Sequence, residues 1–271
     1  MITPLIVALW GCTTPRGPED PTSWFDAGVP QDVLETVSFT DEPYGFPTSG
    51  DGIAALYDDV FPTAEGVITF AEGDEFPSES DCADDTDGDL PMRIDGIVTI
   101  IPRYYFKTSG CDGDEKYYGS FFIEDDTGGA FVLGDSKVSH FEVGDRVQLD
   151  VRGAKTSYDL DMVYSWDLVD LQRDASPIHY DNAFGPLDFD DLYEVRRVTG
   201  TVSSAKDTFG LFELESDDGT TYPVQLDIEL NRRGFDYPIG ERIQVTGPVL
   251  YSYSAFSIVV MSAGQVSELD P

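Results

Sequence analysis

A block reading FFIEDDTGGAFVLG from Phe121 to Gly134 returns in altered form as LFELESDDGTTYPV from Leu211 to Val224. Two further landmarks repeat around it in the same order. Gly96-Ile97-Val98 matches Gly200-Thr201-Val202, and Val143-Gly144-Asp145-Arg146-Val147 matches Ile239-Gly240-Glu241-Arg242-Ile243. Their offsets, 104 and 96 residues, leave the first copy longer by a net eight, and the excess falls in KTSGCDGDEKYY. A chain that repeats itself at this period is expected to hold two copies of one small folding unit. At 271 residues with 41% hydrophobic content there is enough apolar material to give each copy a core.

Each copy reads as β-structure. In RVQLDVR, Val147, Leu149 and Val151 face one way while Arg146, Gln148, Asp150 and Arg152 face the other, as in a half-buried strand. DDTGG at Asp125 to Gly129 and SDDGT at Ser216 to Thr220 set Asp and Gly between strand-forming runs, where a tight hairpin needs positive φ. Strands are expected near Met92 to Phe106, Tyr118 to Glu124, Ala130 to Gly134, Asp145 to Ala154 and Asp161 to Gln172. The second set is expected near Glu194 to Ala205, Gly210 to Glu215, Thr221 to Leu226, Arg242 to Tyr251 and Phe256 to Val266.

Five strands, a hairpin between the second and third, and a Val-Gly-Asp-Arg-Val entry into the fourth resemble the OB-fold, a small Greek-key barrel. The strings GIVT, FFIEDDTGGAFVLG and VGDRVQLDVRG are similar to OB-type modules of secreted bacterial proteins, among them lipoproteins and regions beside extracellular nucleases. The fold class implied is all-β: two tandem five-stranded OB-like Greek-key barrels after an irregular N-terminal region. The boundaries expected are a signal peptide over 1–11, a tether over 12–23, an irregular acidic region over 24–89, barrels over 90–174 and 193–271, and a linker over 175–192. In the linker, Pro177, Gly185 and Pro186 break regular structure, and LDFDDLYE is expected as a short helix. Gly52 to Val60 puts Ile53, Leu56, Tyr57 and Val60 on one helical face, Val67 to Phe70 is strand-like, and Trp24 to Glu79 is expected to be a loosely structured region packed on the first barrel.

The apolar run Ile2 to Trp10 is too short to cross a bilayer as a helix and has signal-peptide proportion. It ends in LWGC, which resembles the lipobox of bacterial lipoproteins, with departures at the bulky Trp10 and in the lack of a preceding Lys or Arg. The resemblance implies lipid on Cys12, and the Thr13 that follows implies sorting to the outer membrane. TTPRGPEDPTS then reads as a tether, a buried N-terminal strand being the competing reading of the apolar run. Of the three cysteines, Cys82 and Cys111 then remain as a pair, either bridged or two separate thiols. A bridge would close a loop of about 30 residues and stabilise the fold by roughly 3 to 4 kcal/mol.

Charge narrows the partners. Asp plus Glu number 52 against 16 Lys plus Arg, a formal net of −36, and such a surface repels phosphate backbones. The charge therefore argues against nucleic acid and favours solubility or cation binding. No nucleophile elbow, zinc helix, phosphate loop or dinucleotide fingerprint is present, and His140 and His179 lie far apart. Ser203 to Lys206 matches a serine–lysine SxxK pattern but lacks that family's partner motifs. The chain is thus read as not an enzyme, with no cofactor apart from calcium. In DCADDTDGDL, Asp85, Asp87 and Asp89 alternate before a turn as calcium loops do, although Ala83 and Ile94 stand where an EF-hand needs acids, and a solvated acidic linker competes.

OB-folds bind ligands across strands two and three and in the loops joining strands one to two and four to five. Here those loops carry Tyr104, Tyr105, Phe106, Tyr117, Tyr118 and Tyr158 in the first copy, and Tyr251, Tyr253 and Phe256 in the second. Such rings stack on sugars or bases, or cap barrel ends. Their neighbours are Asp112, Asp114, Glu115, Asp159 and Asp161, not interleaved cations. The function expected is a non-catalytic envelope lipoprotein, held at the membrane by its lipid and displaying its barrels to a protein or glycan partner. Its alternatives are a single-stranded oligonucleotide-binding accessory to an extracellular nuclease and a hydrolase with an unrecognised carboxylate site.

Overall fold

The computed structural model describes residues 37–46, 52–61, 81–84, 90–102, 108–109, 115–116, 120–134, 141–157, 160–252 and 255–269. Ten strands build two barrels. The first has β1 (Met92–Val98), β2 (Phe121–Asp125), β3 (Gly128–Val132), β4 (Arg146–Ser157) and β5 (Leu160–Gln172). The second has β6 (Val195–Val202), β7 (Leu211–Glu215), β8 (Thr221–Leu226), β9 (Arg242–Ser252) and β10 (Ala255–Val260). In the first, β1 pairs with β2 and β4, β2 with β3, β3 in parallel with β5, and β5 with β4. The second repeats every one of these pairings, so both sheets close. This connectivity is that of the OB-fold expected from the sequence.

The repeated landmarks have structural reasons. Gly96 and Gly200 lie where the first strand of each barrel hands over from the fourth strand to the second. A Cβ on Gly96 would stand 3.0 Å from the Glu124 carbonyl, and one on Gly200 would stand 2.8 Å from that of Glu215. Gly144 and Gly240 take φ of 89° and 90° in the turn that enters the fourth strand, and donate N–H to Val98 and Val202 respectively. The hairpins differ. Gly219 has φ of 86° as expected, whereas the Asp126-Thr127 turn is held by the Asp125 carboxylate, which accepts from the Thr127 N–H at 2.7 Å and its hydroxyl at 2.5 Å.

Inward-facing residues fill each barrel. Phe121, Ile123, Val147, Leu149, Val151 and Trp166 belong to the first core, and Phe212, Leu214, Val224, Ile243, Val249 and Ile258 to the second. A short helix, α1 (Ile228–Arg232), inserts Leu230 into the second core, and Asp227 caps it by accepting from the N–H groups of Glu229 and Leu230. The first core takes Ile53, Leu56, Val60 and Phe61 from the N-terminal region. That stretch is the helical face expected there, formed as a π-helical turn over Leu56–Val60. In its described part Ile53 and Leu56 are fully buried against the first barrel.

Two strands stop well short of their expected ends. β1 stops at Val98 instead of running to Phe106, because Ile100 leaves the ladder to bury itself between the barrels. β10 stops at Val260, where the Gln265 side chain binds four backbone groups: it accepts from Met261 and Ser262 and donates to Thr246 and Val259. The chain then resumes as a short strand, Val266–Glu268, on β9. LDFDDLYE gives a 3-10 turn over Phe189–Asp191. The linker is regular elsewhere too, since Ile178–His179 pairs in parallel with Phe39–Thr40 and Asp181–Asn182 with β6.

Candidate functional site

The hairpin of strands two and three is the usual ligand face of an OB barrel, and the two copies use it differently. Ile97 faces Glu124 across one barrel and Thr201 faces Glu215 across the other, which makes these glutamates equivalent. By the same ladders Phe122 corresponds to Glu213, Phe131 to Pro223 and Gly129 to Thr221. In the second barrel β7 alternates, with Leu211, Glu213 and Glu215 exposed and Phe212 and Leu214 buried. In the first, every residue of β2 is buried. The outward side of β2 and β3 is covered by the second barrel.

That cover is a third hydrophobic core between the barrels. Phe122, Phe131, Leu160 and Met162 of the first meet Tyr193, Leu250, Val259 and Met261. Tyr193 sits at its centre, wholly buried, with φ of 66°, a left-handed conformation costly for a bulky residue. Its ring centroid lies 5.4 Å from that of Phe122 and 5.9 Å from that of Phe131, and its hydroxyl donates to the Asp161 carbonyl at 2.9 Å. Opposite it, a Cβ on Gly129 would stand 2.5 Å from the Tyr193 carbonyl carbon and oxygen, so only glycine lets the backbones approach this closely.

Glu124 links three segments at the rim of this core. It accepts from the Val195 N–H at 3.2 Å and from the Tyr44 hydroxyl at 2.9 Å, and is 4% exposed. Burial pushes its carboxyl well above the usual carboxylate range and the nearby Glu194 adds to this, while the Val195 and Tyr44 hydrogen bonds and Arg196 oppose. Burial also raises Glu194, against the attraction of Arg196 at 2.5 Å. The His179 ring stands edge-on to Tyr44 at 5.8 Å, with Nδ1 buried and, among the described residues, unpartnered. The arrangement joins barrels and N-terminal region.

The free face is that of the second barrel. Glu213 and Glu215 stand on β7, Thr221, Pro223 and Gln225 on β8, and the β6–β7 connection carries Phe209, which is 78% exposed. Beyond the β9–β10 end, Phe189, Tyr251 and Phe256 form a ring cluster with centroids 4.8 to 5.0 Å apart. Two of the expected aromatic residues are thereby brought together, joined by Phe189, which sequence reasoning had missed. Phe189 was legible only as part of a short linker helix. A cavity of about 340 Å³ opens where the linker meets both barrels, lined by Ser38, Ile101, Gly144, Asp174, Ser176 and Ser262. Among the described residues that line it, Asp174 carries the carboxylate.

The cations are largely engaged. Arg93, Arg146, Arg152, Arg173, Arg196, Arg233 and Arg242 each bridge to an acidic side chain. Arg197 lies 3.3 Å over the Tyr180 ring and donates to Thr246. In the SxxK match, Ser203 donates to the Glu213 carbonyl and Lys206 to that of Phe235, so the two side chains serve the backbone separately. Cys12, Asp85, Asp87, Asp89, Tyr104, Tyr105, Cys111, Tyr117, Tyr118, His140, Tyr158 and Tyr253 lie outside the described residues, as does the side chain of Cys82. Among the described residues no group of His, Cys, Asp or Glu could hold a metal ion, and no helix is long and apolar enough to cross a membrane.

No protein-family model matches the chain, and no curated protein is significantly similar to it in sequence. Solved structures of similar chain path include the Ifi202 HINa domain in complex with 20bp dsDNA, at 10% identity and a TM-score of 0.32, covering 70% of this chain and 97% of that one. The tetrameric p202 HIN2 is similar at 12% identity and a TM-score of 0.28, covering 66% and 91%. The wild-type single-stranded DNA binding protein from Thermus aquaticus is similar at 10% identity and a TM-score of 0.23, covering 66% and 92%. At these scores the likenesses do not bear on what this chain binds.

Proposed function

We propose that this chain is a non-catalytic binding and scaffolding module of the cell envelope, anchored by lipid on Cys12. One barrel is given over to internal docking, and the other displays its β7–β8 face to a protein or glycan partner. The burial contrast between the two equivalent hairpins carries this reading: the first buries every residue of β2, the second alternates and leaves its outer side to solvent. Single-stranded oligonucleotide is the second reading, favoured by the exposed Phe209 ring on which a base could stack. Glu213 and Glu215 beside it repel phosphates, and Arg93, Arg146, Arg152, Arg173, Arg196, Arg233 and Arg242 are already paired with carboxylates, so the first reading is preferred.

Site-specific photo-crosslinking in cells tests both. A photoreactive residue in place of Glu213 is expected to capture a protein or glycan, and one in place of Glu42, remote on the N-terminal segment, is expected to capture neither. Capture of nucleic acid alone, or equal capture from both positions, would overturn the proposal. The lipid anchor is checked by fractionation, where Cys12→Ser is expected to release the chain from membranes.

A further inference from the structure

We infer that the Phe209 turn, with Leu211 and Ile228, is a docking surface for a cationic amphipathic protein segment, whose apolar side chains cover these three residues while its Lys or Arg meet Glu213 and Glu215. The inference rests on the reading of the second barrel as the displayed one. Phe209, Leu211 and Ile228 are 78%, 37% and 45% exposed. Leu211 faces Gln225 across the β7–β8 ladder, and the Gln225 amide donates to the Phe209 carbonyl at 2.8 Å, which places Phe209 and Leu211 side by side. Ile228 opens α1, and Asn231 on the same helix donates to the Thr208 carbonyl at 3.0 Å, holding helix and turn together.

The turn is ordered before anything docks. One Asp207 carboxylate oxygen accepts from the N–H of Phe209 at 2.8 Å and of Leu211 at 2.9 Å, while the Asp207 N–H donates to the Leu211 carbonyl. An exposed aromatic ring on a backbone fixed from several directions loses little freedom on binding, as an interface anchor requires. Phe184 is more exposed, at 90%, and among the described residues no side chain binds its own N–H or carbonyl.

Charge selects the occupant. Glu213 and Glu215 are exposed on β7 and form no ion pair with a described residue, and Asp218 lies at the hairpin tip. A second copy, at −36, is repelled, and so are a polynucleotide and an anionic membrane. A cationic segment is attracted, and alternation of apolar and basic side chains matches a patch in which Leu211 and Glu213 alternate along one strand.

The test measures binding of the full chain to a peptide of alternating Leu and Lys, to its Leu–Glu counterpart and to oligothymidylate. Only the Leu–Lys peptide is expected to bind. Phe209→Ser and the pair Glu213→Lys with Glu215→Lys should each weaken it roughly tenfold or more. Phe184→Ser and the charge-matched pair Asp41→Lys with Glu42→Lys should change it less than about twofold, the scatter of surface changes outside an interface. If both sets weaken binding equally, the docking surface is overturned and attraction is merely global, while the module reading stands on its crosslinking test. Oligothymidylate binding that Phe209→Ser abolishes would overturn the cationic partner and make the same face a nucleic-acid site. Binding of no probe would overturn the inference, and capture at position 213 in cells would still report whether the face is occupied.

Discussion

Glu124 is a single carboxyl placed where two barrels and an N-terminal segment meet, and its protonation is coupled to folding. Burial lifts its folded value above the ordinary one, so the folded state holds the proton more tightly than the unfolded chain. Its contribution is therefore greatest at acidic pH, and is lost as pH rises from the ordinary carboxylate value of about 4.3 through the raised folded value. Glu194 and Asp125 are raised by burial too and act in the same direction. Glu124→Gln keeps a carbonyl to accept from Val195 but cannot ionise. Chemical denaturation across this window should show the wild type losing stability relative to Glu124→Gln as pH rises. A constant difference between the two would mean that Glu124 titrates as in the unfolded chain.

Among the elements, α1 is the clearest case of local sequence serving a barrel. At five residues it is too short to hold itself, so its stability must come from Leu230 in the core and from the Asp227 cap. Asp227→Ala leaves the N–H groups of Glu229 and Leu230 without their side-chain acceptor, and should cost about 1 kcal/mol. Asp227→Ser should recover most of it, and the pair of urea midpoints checks this. The strands follow the alternation of side chains, and the ladders add one correction. As strings, FFIED and LFELE align Phe122 on Phe212; by hydrogen-bond register, Phe121 matches Phe212 and Phe122 matches Glu213. A one-residue shift moves a side chain to the opposite face, which is why Phe122 serves the junction and not the barrel interior.

For the molecule as a whole, the junction makes one body of two folding units. The shared core around Tyr193 and the close approach at Gly129 leave neither barrel with a complete surface alone. Calorimetry of the full chain should show one transition. Gly129→Ala puts a methyl group against the Tyr193 backbone, which cannot rotate away as a side chain can. The loss expected is about 2 kcal/mol or more, with the single transition separating into two as the barrels unfold independently. Thr221→Ala, at the equivalent position of the free hairpin, should leave one transition of nearly unchanged midpoint. If Gly129→Ala behaves like Thr221→Ala, the barrels are not energetically joined.

The sequence by itself determined the repeat, the ten barrel strands and the acidic surface, because strand periodicity, turn glycines and charge are local properties written in consecutive residues. It also held an unread sign of the asymmetry: FFI is apolar without a break, as in a strand buried on both sides, whereas LFELE alternates. Only the tertiary structure decided what covers the outer side of β2. That depends on Tyr193, Leu250 and Met261, which lie far along the chain and reach Phe122 and Phe131 only once both barrels are closed and docked. The same holds for the candidate site. A phenylalanine at 209 reads as an ordinary loop residue until Asp207, Gln225 and Asn231 are seen to fix the backbone around it, contacts set by the barrel and by nothing in the local pattern.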